Sequence, residues 1–414
     1  MIKKILVVVL MLVAVMSNAQ EGTSSPYSFY GIGIQKFKGT VENRSMGGLS
    51  IYADSIHLNL QNPASFGELR LTTYAVGATY NNFKISNQTE SSSGDNATLD
   101  YLAIGIPAGK FGFGFGVIPL TSVGYQLDNI DDNGVEELFT GTGGLNKVFL
   151  AAGLKVNDNL SVGLDFNYNF GNIEEKSILS RPDVQFDTRE ITSANLSSFS
   201  LSLGLMYKTM VSEKLELSAS VVSTPSFSLT FDGSRELSSI LLGNNGQEVV
   251  IDRQETELEE SEIDIPAELK VGTGIGNPKN WFVGAEYTYS DSGDYTEALF
   301  IRENVEYSNA SKFKVGGFYI PKYNSLTNYF SRVTYRAGFR YEETGLNINN
   351  ESIDEFGISF GVGLPVGRLF SNTNIGFEYG QRGTKDFGLV REDFFNVSIS
   401  LSLNDKWFRK IKFN

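Results

Sequence analysis

LSVGLDFNYNF, Leu160 to Phe170, decides how the chain reads. Val162, Leu164, Phe166, Tyr168 and Phe170 occupy one phase of a period-two pattern. Ser161, Gly163, Asp165, Asn167 and Asn169 occupy the other. Successive side chains of a strand point to opposite faces, so the stretch is a strand with one apolar and one polar face. Its length matters as much as its phase. Strands of soluble sheets are typically about five or six residues, whereas a tilted strand crossing a bilayer needs about 9–11. The pattern returns at Leu201, Leu203, Leu205 and Tyr207 against Ser200, Ser202 and Gly204, and at Val397, Ile399, Leu401 and Leu403 against Ser398, Ser400 and Ser402.

Working outward, fourteen such segments are predicted, near 71–83, 98–108, 110–126, 146–156, 160–174, 197–210, 214–231, 255–276, 280–290, 308–320, 331–342, 354–364, 372–382 and 393–404. An even count is what a single-chain bacterial outer-membrane barrel requires. The connections point the same way. Long polar stretches, Asn81 to Asn96, Asp128 to Leu145, Ile173 to Leu196 and Asp232 to Gln254, are expected as outer loops. They alternate with the short turns Ala108-Gly109-Lys110, Asn157-Asp158-Asn159, Val211-Ser212-Glu213 and Asn277-Pro278-Lys279. The fold class is therefore all-β, a 14-stranded antiparallel transmembrane barrel. In lipid every backbone polar group must be paired internally, and closure is how a sheet achieves it.

The address agrees. Met1-Ile2-Lys3-Lys4, an apolar run from Ile5 to Met16 and Ser17-Asn18-Ala19 form the pattern of a secretory signal, residues 1–19. Sec export to the Gram-negative outer membrane and contact with its lipid follow as expectations. Residues 20–70 read as an N-terminal extension and hatch, 71–404 as the barrel and 405–414 as a periplasmic basic tail. The chain has no cysteine, one histidine (His57) and a net charge of −14. Disulfides and thiolate or multi-histidine metal sites are excluded. No nucleophile–base set survives a single histidine, and no cofactor motif is present, so an enzyme is not expected. Nucleic acid is not an expected partner, because no basic patch appears before the last residues.

If the apolar phase meets lipid, the other phase lines the lumen. Asp165, Glu268, Lys270, Glu286, Arg332, Arg336, Arg340 and Glu378 fall on it. Mixed charges there read either as a structural network tying wall to plug or as cargo-selecting groups. Phe111, Phe113 and Phe115 alternate with Gly112, Gly114 and Gly116, which suits a ligand surface or small residues beside a plug. Pro119 and Pro225 interrupt long strand patterns and mark candidate kinks or gaps in the wall. The acidic run Glu255 to Asp264 reads as solvated strand or loop above the membrane.

Asn43 to Glu68, NRSMGGLSIYADSIHLNLQNPASFGE, is the densest motif. Arg44-Ser45-Met46-Gly47-Gly48, Ala53-Asp54 and Asn62-Pro63-Ala64-Ser65 resemble the hatch of FadL-like outer-membrane barrels. Ile265-Pro266-Ala267-Glu268-Leu269-Lys270-Val271-Gly272 with Trp281 and Glu286 is similar to that family's strand after a large outer loop. Tyr335-Arg336-Ala337-Gly338-Phe339-Arg340-Tyr341 is similar to its Arg-x-Gly strand. The resemblance implies a hatch inside the barrel, with Gly47, Gly48, Asp54, His57, Asn62, Pro63 and Ala64 as its gate residues. It also implies passive inward movement of fatty-acid-like or other hydrophobic small molecules, with a lateral opening in the wall. A branch of the family attaches instead to the large translocon of type IX secretion, as shuttle or plug. The tail from Asn404 to Asn414, rich in Lys and Arg, would be available to such a partner.

Overall fold

The computed structural model describes residues 22–131, 133–243, 247–293, 302, 304–366 and 371–407. The signal expected at residues 1–19 lies outside them, as do residues 408–414 of the tail expected at 405–414. Fourteen antiparallel wall strands close into a barrel. They are β1 Thr72–Ser86, β2 Ser91–Ala108, β3 Phe111–Pro119 resuming as Thr121–Ile130, β4 Glu136–Lys155, β5 Leu160–Ser180, β6 Asp187–Met210 and β7 Glu216–Thr224 resuming as Phe227–Leu242. Then follow β8 Glu248–Ile265 resuming as Glu268–Asn277, β9 Trp281–Ser290, β10 Val305–Tyr307 resuming as Ala310–Tyr319, β11 Thr334–Ile348, β12 Glu351–Pro365, β13 Asn372–Gly383 and β14 Arg391–Asp405. The last strand pairs with the first, from Asp405↔Thr72 to Arg391↔Ser86.

Burial is inverted relative to a soluble sheet. On β5, Leu164 and Phe166 are 43% and 48% exposed, while Asp165 and Asn167 are 6% and 2% exposed. An exposed apolar face of this extent on a closed wall is the face that meets hydrocarbon.

The outer loops differ from expectation. Asn81 to Asn96 is not a loop: its residues pair down to Ser86↔Ser91. The β5–β6 ladder likewise runs from Ile173↔Ala194 to Leu179↔Thr188, and β7–β8 to Leu242↔Glu248. The wall therefore continues past the lipid belt. The physical reason lies in a change of chemistry without a change of phase. Beyond Phe170 the outward residues become polar, and the inward ones become apolar and buried: Ile173, Leu196, Leu229, Phe231 and Ile263 form one core with Val123 and Leu145. Polar outside and apolar inside is the soluble rule. Sequence alternation marks the belt, and its inversion marks the end of the belt. The acidic run Glu255 to Asp264 lies within the exposed outer half of β8.

Candidate functional site: the plugged lumen and the broken wall

Residues 22–71 run inside the barrel. Thr40 opens a one-turn helix, Val41–Arg44, by a capping box with Asn43. Gly47 and Gly48 follow at φ +70° and +84°, a conformation that side chains resist, and they turn the chain back across the lumen. Asn62 accepts the Ala64 N–H at 3.0 Å and starts the 3-10 turn Pro63–Glu68, with Pro63 at its first position. Ala64 is fully buried.

Wall glycines receive this backbone directly. A Cβ on Gly112 would stand 1.8 Å from the Phe66 carbonyl oxygen, and one on Gly163 2.2 Å from the Pro63 carbonyl carbon. Across the barrel, a Cβ on Gly338 would stand 2.0 Å from the Gly47 nitrogen. Gly112 and Gly114 of β3 thus lie beneath the N-terminal segment, a Cβ on Gly116 would instead meet Leu102 and Phe149 of the wall, and Phe111, Phe113 and Phe115 are exposed on the opposite face.

Charged side chains fasten the segment. Glu286 accepts from the Ser50 N–H at 2.8 Å and the Ser50 hydroxyl at 2.5 Å, and Lys314 Nζ stands 2.6 Å from its other oxygen. Asn374 donates to Glu42 at 2.7 Å and accepts from Arg336 at 3.1 Å. Arg44 donates to Thr79 at 2.7 Å. Glu68 accepts from Ser161 at 2.7 Å and stands 3.4 Å from Lys155. Other pairs brace the wall itself: Arg340 holds Glu378 at 2.8 Å and pairs with Glu355, which also pairs with Arg382. Asp165 pairs with Lys147 at 3.3 Å, and Glu268 with Lys270 at 2.9 Å on the same strand. Buried charges survive only when so compensated.

Arg332 is the exception among the expected lumen charges. It lies in a 3-10 turn, Phe330–Arg332, ahead of β11, with its guanidinium 5.5 Å from the Tyr329 ring centre. Period-two phasing extends in the sequence past the true start of the strand at Thr334.

His57 Nδ1 is 2.6 Å from Asp54 Oδ2, and Asn372 Nδ2 is 2.7 Å from His57 Nε2. The amide donates, so Nδ1 carries the proton in this arrangement. Burial opposes charge on both groups, yet the pair outweighs it. The Asp54 carboxyl falls to about 2, helped by the Ile56 and His57 N–H groups, and His57 is raised. The pair is a fastening between the N-terminal segment and the start of β13.

Both expected proline breaks interrupt strands. β3 stops at Pro119 and resumes at Thr121. Below the break β3 pairs with β2, from Ala108↔Phe111 to Leu102↔Val117. Above it no β2–β3 pair occurs among the described residues, and Ser91 to Leu99 and Tyr101 pair there with β1. Thr121 to Tyr125 are buried at both phases, so β3 has turned inward. Its freed edge pairs with Ile34 and Gln35 of the N-terminal segment. The proline fixes φ and removes a ladder donor, which makes this a natural place for neighbouring strands to separate. At Pro225 the β6–β7 ladder stops at Leu203↔Ser223 and resumes at Ser197↔Thr230. Pro266 breaks β8 at the same level, between Phe227↔Ile265 and Glu268↔Thr224.

Between the N-terminal segment and the wall lies a cavity of about 490 Å³, within the range of small-molecule pockets. Its lining is mixed: it includes the apolar Leu120, Phe227, Leu229 and Ile265 and the cationic Lys38, Lys270, Lys312 and Arg340. Lys38, Lys147, Lys314, Glu355 and Arg382 were not anticipated as site residues. The phase rule applied strand by strand finds the wall members, since Lys314 sits between Phe313 and Val315, and Arg382 shares the phase of Glu378. Lys38, in the irregular segment, has no such signal.

Solved structures share this architecture. The chain matches a Pseudomonas aeruginosa FadL homologue at TM-score 0.61 and 14% identity, covering 90% of this chain and 99% of that one. It matches the Ralstonia pickettii toluene transporter TbuX at 0.60 and 17%, covering 91% and 99%. It matches the Pseudomonas putida toluene transporter TodX at 0.60 and 14%, covering 90% and 100%. At these identities the likeness is one of fold, a FadL-type barrel. No curated protein matches the sequence. The BamG family model matches residues 1–414.

Proposed function

This chain belongs to the BamG family, and we propose that its barrel gives fatty-acid-like hydrophobic small molecules a passive inward route across the outer membrane, through a lumen gated by residues 43–68. The observation that carries this reading is the separation of β2 and β3 above Pro119, with the N-terminal strand Ile34–Gln35 on the freed edge. Through Pro119↔Asn146 and Asn146↔Phe170 the separation begins level with Phe170, at the outer rim of the apolar face. The cavity beside it supplies apolar surface at Leu120, Leu229 and Ile265. The test is uptake of oleate by vesicles carrying the purified barrel, against vesicles carrying the heat-denatured protein. Faster uptake supports the route; equal rates reject it.

A second reading has its own support: a non-transporting accessory barrel bound to a larger translocon, of type IX secretion or a comparable machine. The outer half of β8, Glu248–Ile265, pairs with β7 only, among the described residues, and so offers a free strand edge above the membrane. This reading predicts co-purification with a much larger barrel from native membranes in mild detergent. It also predicts loss of that association on deleting Lys406–Asn414 or the outer half of β8. Recovery of the protein only as a monomer would reject it.

A further inference from the structure

We propose that the lipid-facing side of β3 to β7 seats one inner-leaflet phospholipid with an ethanolamine head group. One acyl chain fills an outward groove that starts at Phe111, Lys110 takes the phosphate, and Asp158 takes the ammonium. The seat is separate from the lumen and does not depend on the uptake reading.

The groove measures about 570 Å³. It follows one row of paired residues, Phe111↔Leu154, Leu154↔Val162, Val162↔Leu205 and Leu205↔Val221. Beside that row two small outward residues stand among large ones: Ala152, between Phe113 and Leu164, and Ser223, next to Leu203. The surface dips where they stand. Behind it, Cβ atoms on Gly153, Gly163 and Gly204 would meet Gly67, Pro63 and Asn62 of the N-terminal segment. The wall is thus backed by chain and cannot cave inward to close the recess. An apolar recess left unfilled forfeits van der Waals contacts along its lining.

Its reach selects the occupant. The row crosses from β3 to β7, a span of about 19 Å at about 4.8 Å per strand. Phe111 opens β3, whereas Val221 is the sixth residue of β7, so the row climbs from the inner turns into the bilayer. Membrane strands tilt by roughly 45°, and a row at right angles to them rises about 13 Å, close to one leaflet of a hydrocarbon core roughly 30 Å thick. A lipid chain matches that reach, and a membrane-spanning helix would overrun it. The foot of the groove carries both signs of charge. Lys110 precedes Phe111 in the turn and is exposed, with no side-chain hydrogen bond or ion pair among the described residues. Arg70 donates to the neighbouring Gly109 carbonyl at 3.3 Å. Asp158, exposed in the next turn, is likewise without an ion pair among the described residues. A phosphate suits the two cations and an ammonium the carboxylate. A neutral diacylglycerol would use the groove alone.

The full mature barrel, stripped of lipid in detergent, is titrated with palmitoyl-oleoyl phosphatidylethanolamine, phosphatidylglycerol and diacylglycerol, and adducts are counted by native mass spectrometry. The wild type is expected to take one phosphatidylethanolamine most tightly and the diacylglycerol least. Lys110→Gln should weaken both phospholipids roughly 10- to 100-fold, the scale of one charged hydrogen bond, and leave the diacylglycerol unchanged. Asp158→Asn should erase the preference for ethanolamine over glycerol. Ala152→Trp fills the groove and should weaken all three lipids. Ile399→Trp, at an exposed position on β14, should weaken none. If Ala152→Trp, shown to be folded by its heat-modifiable migration, binds every lipid as the wild type does, the seat is overturned. Unchanged phospholipid binding by Lys110→Gln overturns the head-group assignment. A two-barrel mass that Ala152→Trp abolishes would make a second copy the occupant and overturn the proposal.

Discussion

Glu286→Ala is the perturbation whose effect on the N-terminal segment follows most directly from the structure. The carboxylate accepts two hydrogen bonds from Ser50 and neutralises Lys314. Without it, Lys314 retains only the Gly48 carbonyl at 3.3 Å and remains a buried, unpaired ammonium. Breaking a buried pair in this way costs about 3–5 kcal/mol. Lys314 belongs to β10 and the carboxylate's other partner to the N-terminal segment, so much of that cost falls on the seated state of the segment. The chain has no cysteine, so a single Leu49→Cys reports seating cleanly: Leu49 is 0% exposed. Maleimide labelling of that thiol requires local opening. Lowering the opening free energy by that amount should raise the labelling rate roughly 100- to 5,000-fold, with the barrel still heat-modifiable. Replacing both partners, Glu286→Gln with Lys314→Met, should recover most of the protection because no lone charge remains. An unchanged labelling rate in a folded Glu286→Ala barrel would refute the claim that this contact seats the segment.

Other outcomes follow from the same packing. Gly163→Ala places a Cβ 2.2 Å from the Pro63 carbonyl carbon, and overpacking of this kind should cost about 1–3 kcal/mol, seen as a lower melting temperature and faster Leu49→Cys labelling. Asn62→Ala removes the cap on Ala64 and should cost about 1 kcal/mol, measurable in the same labelling assay. The His57–Asp54 fastening sets a pH window. His57 is raised above 6.5, so its contribution is full below 6.5 and fades as pH rises through the raised value. Asp54 is lowered from 3.8 to about 2, so its contribution is present above 3.8 and fades as pH falls towards 2. Hydrogen-exchange protection of residues 54–57 should therefore peak between those limits, near pH 5. His57→Gln should remove the decline above neutral pH, and a pH-independent wild type would count against the pair.

Much of the wall was legible because lipid imposes a strict rule on each strand. Leu164, Phe166 and Tyr168 had to face one way and Asp165, Asn167 and Asn169 the other, and phase alone locates them. The same rule failed where its cause ended. Past Phe170 no lipid fixes the outward side, so Ile173 to Leu196 reads as polar loop although the ladder continues. Arg332 was expected on a strand and lies in the turn before it, because phase carries no information about where a strand begins. The N-terminal segment was visible through its turn chemistry, Gly47-Gly48 and Asn62-Pro63, since φ above zero and a capped 3-10 start leave residue signatures. Its partners were not, because Ser50 and Glu286 lie 236 residues apart and meet only when the sheet has closed. Pro119 and Pro225 were legible as interruptions. That the β2–β3 ladder ends at the first of them depends on pairing, which a single strand does not encode.

Deleting residues 43–68 and recording ion conductance of the purified barrel in planar bilayers tests the central claim, that this segment closes an otherwise complete fourteen-stranded wall. Closure of β14 on β1 involves none of those residues, so the deleted protein should fold, remain heat-modifiable and conduct well above the wild type. A folded deletion variant with wild-type conductance would contradict the account.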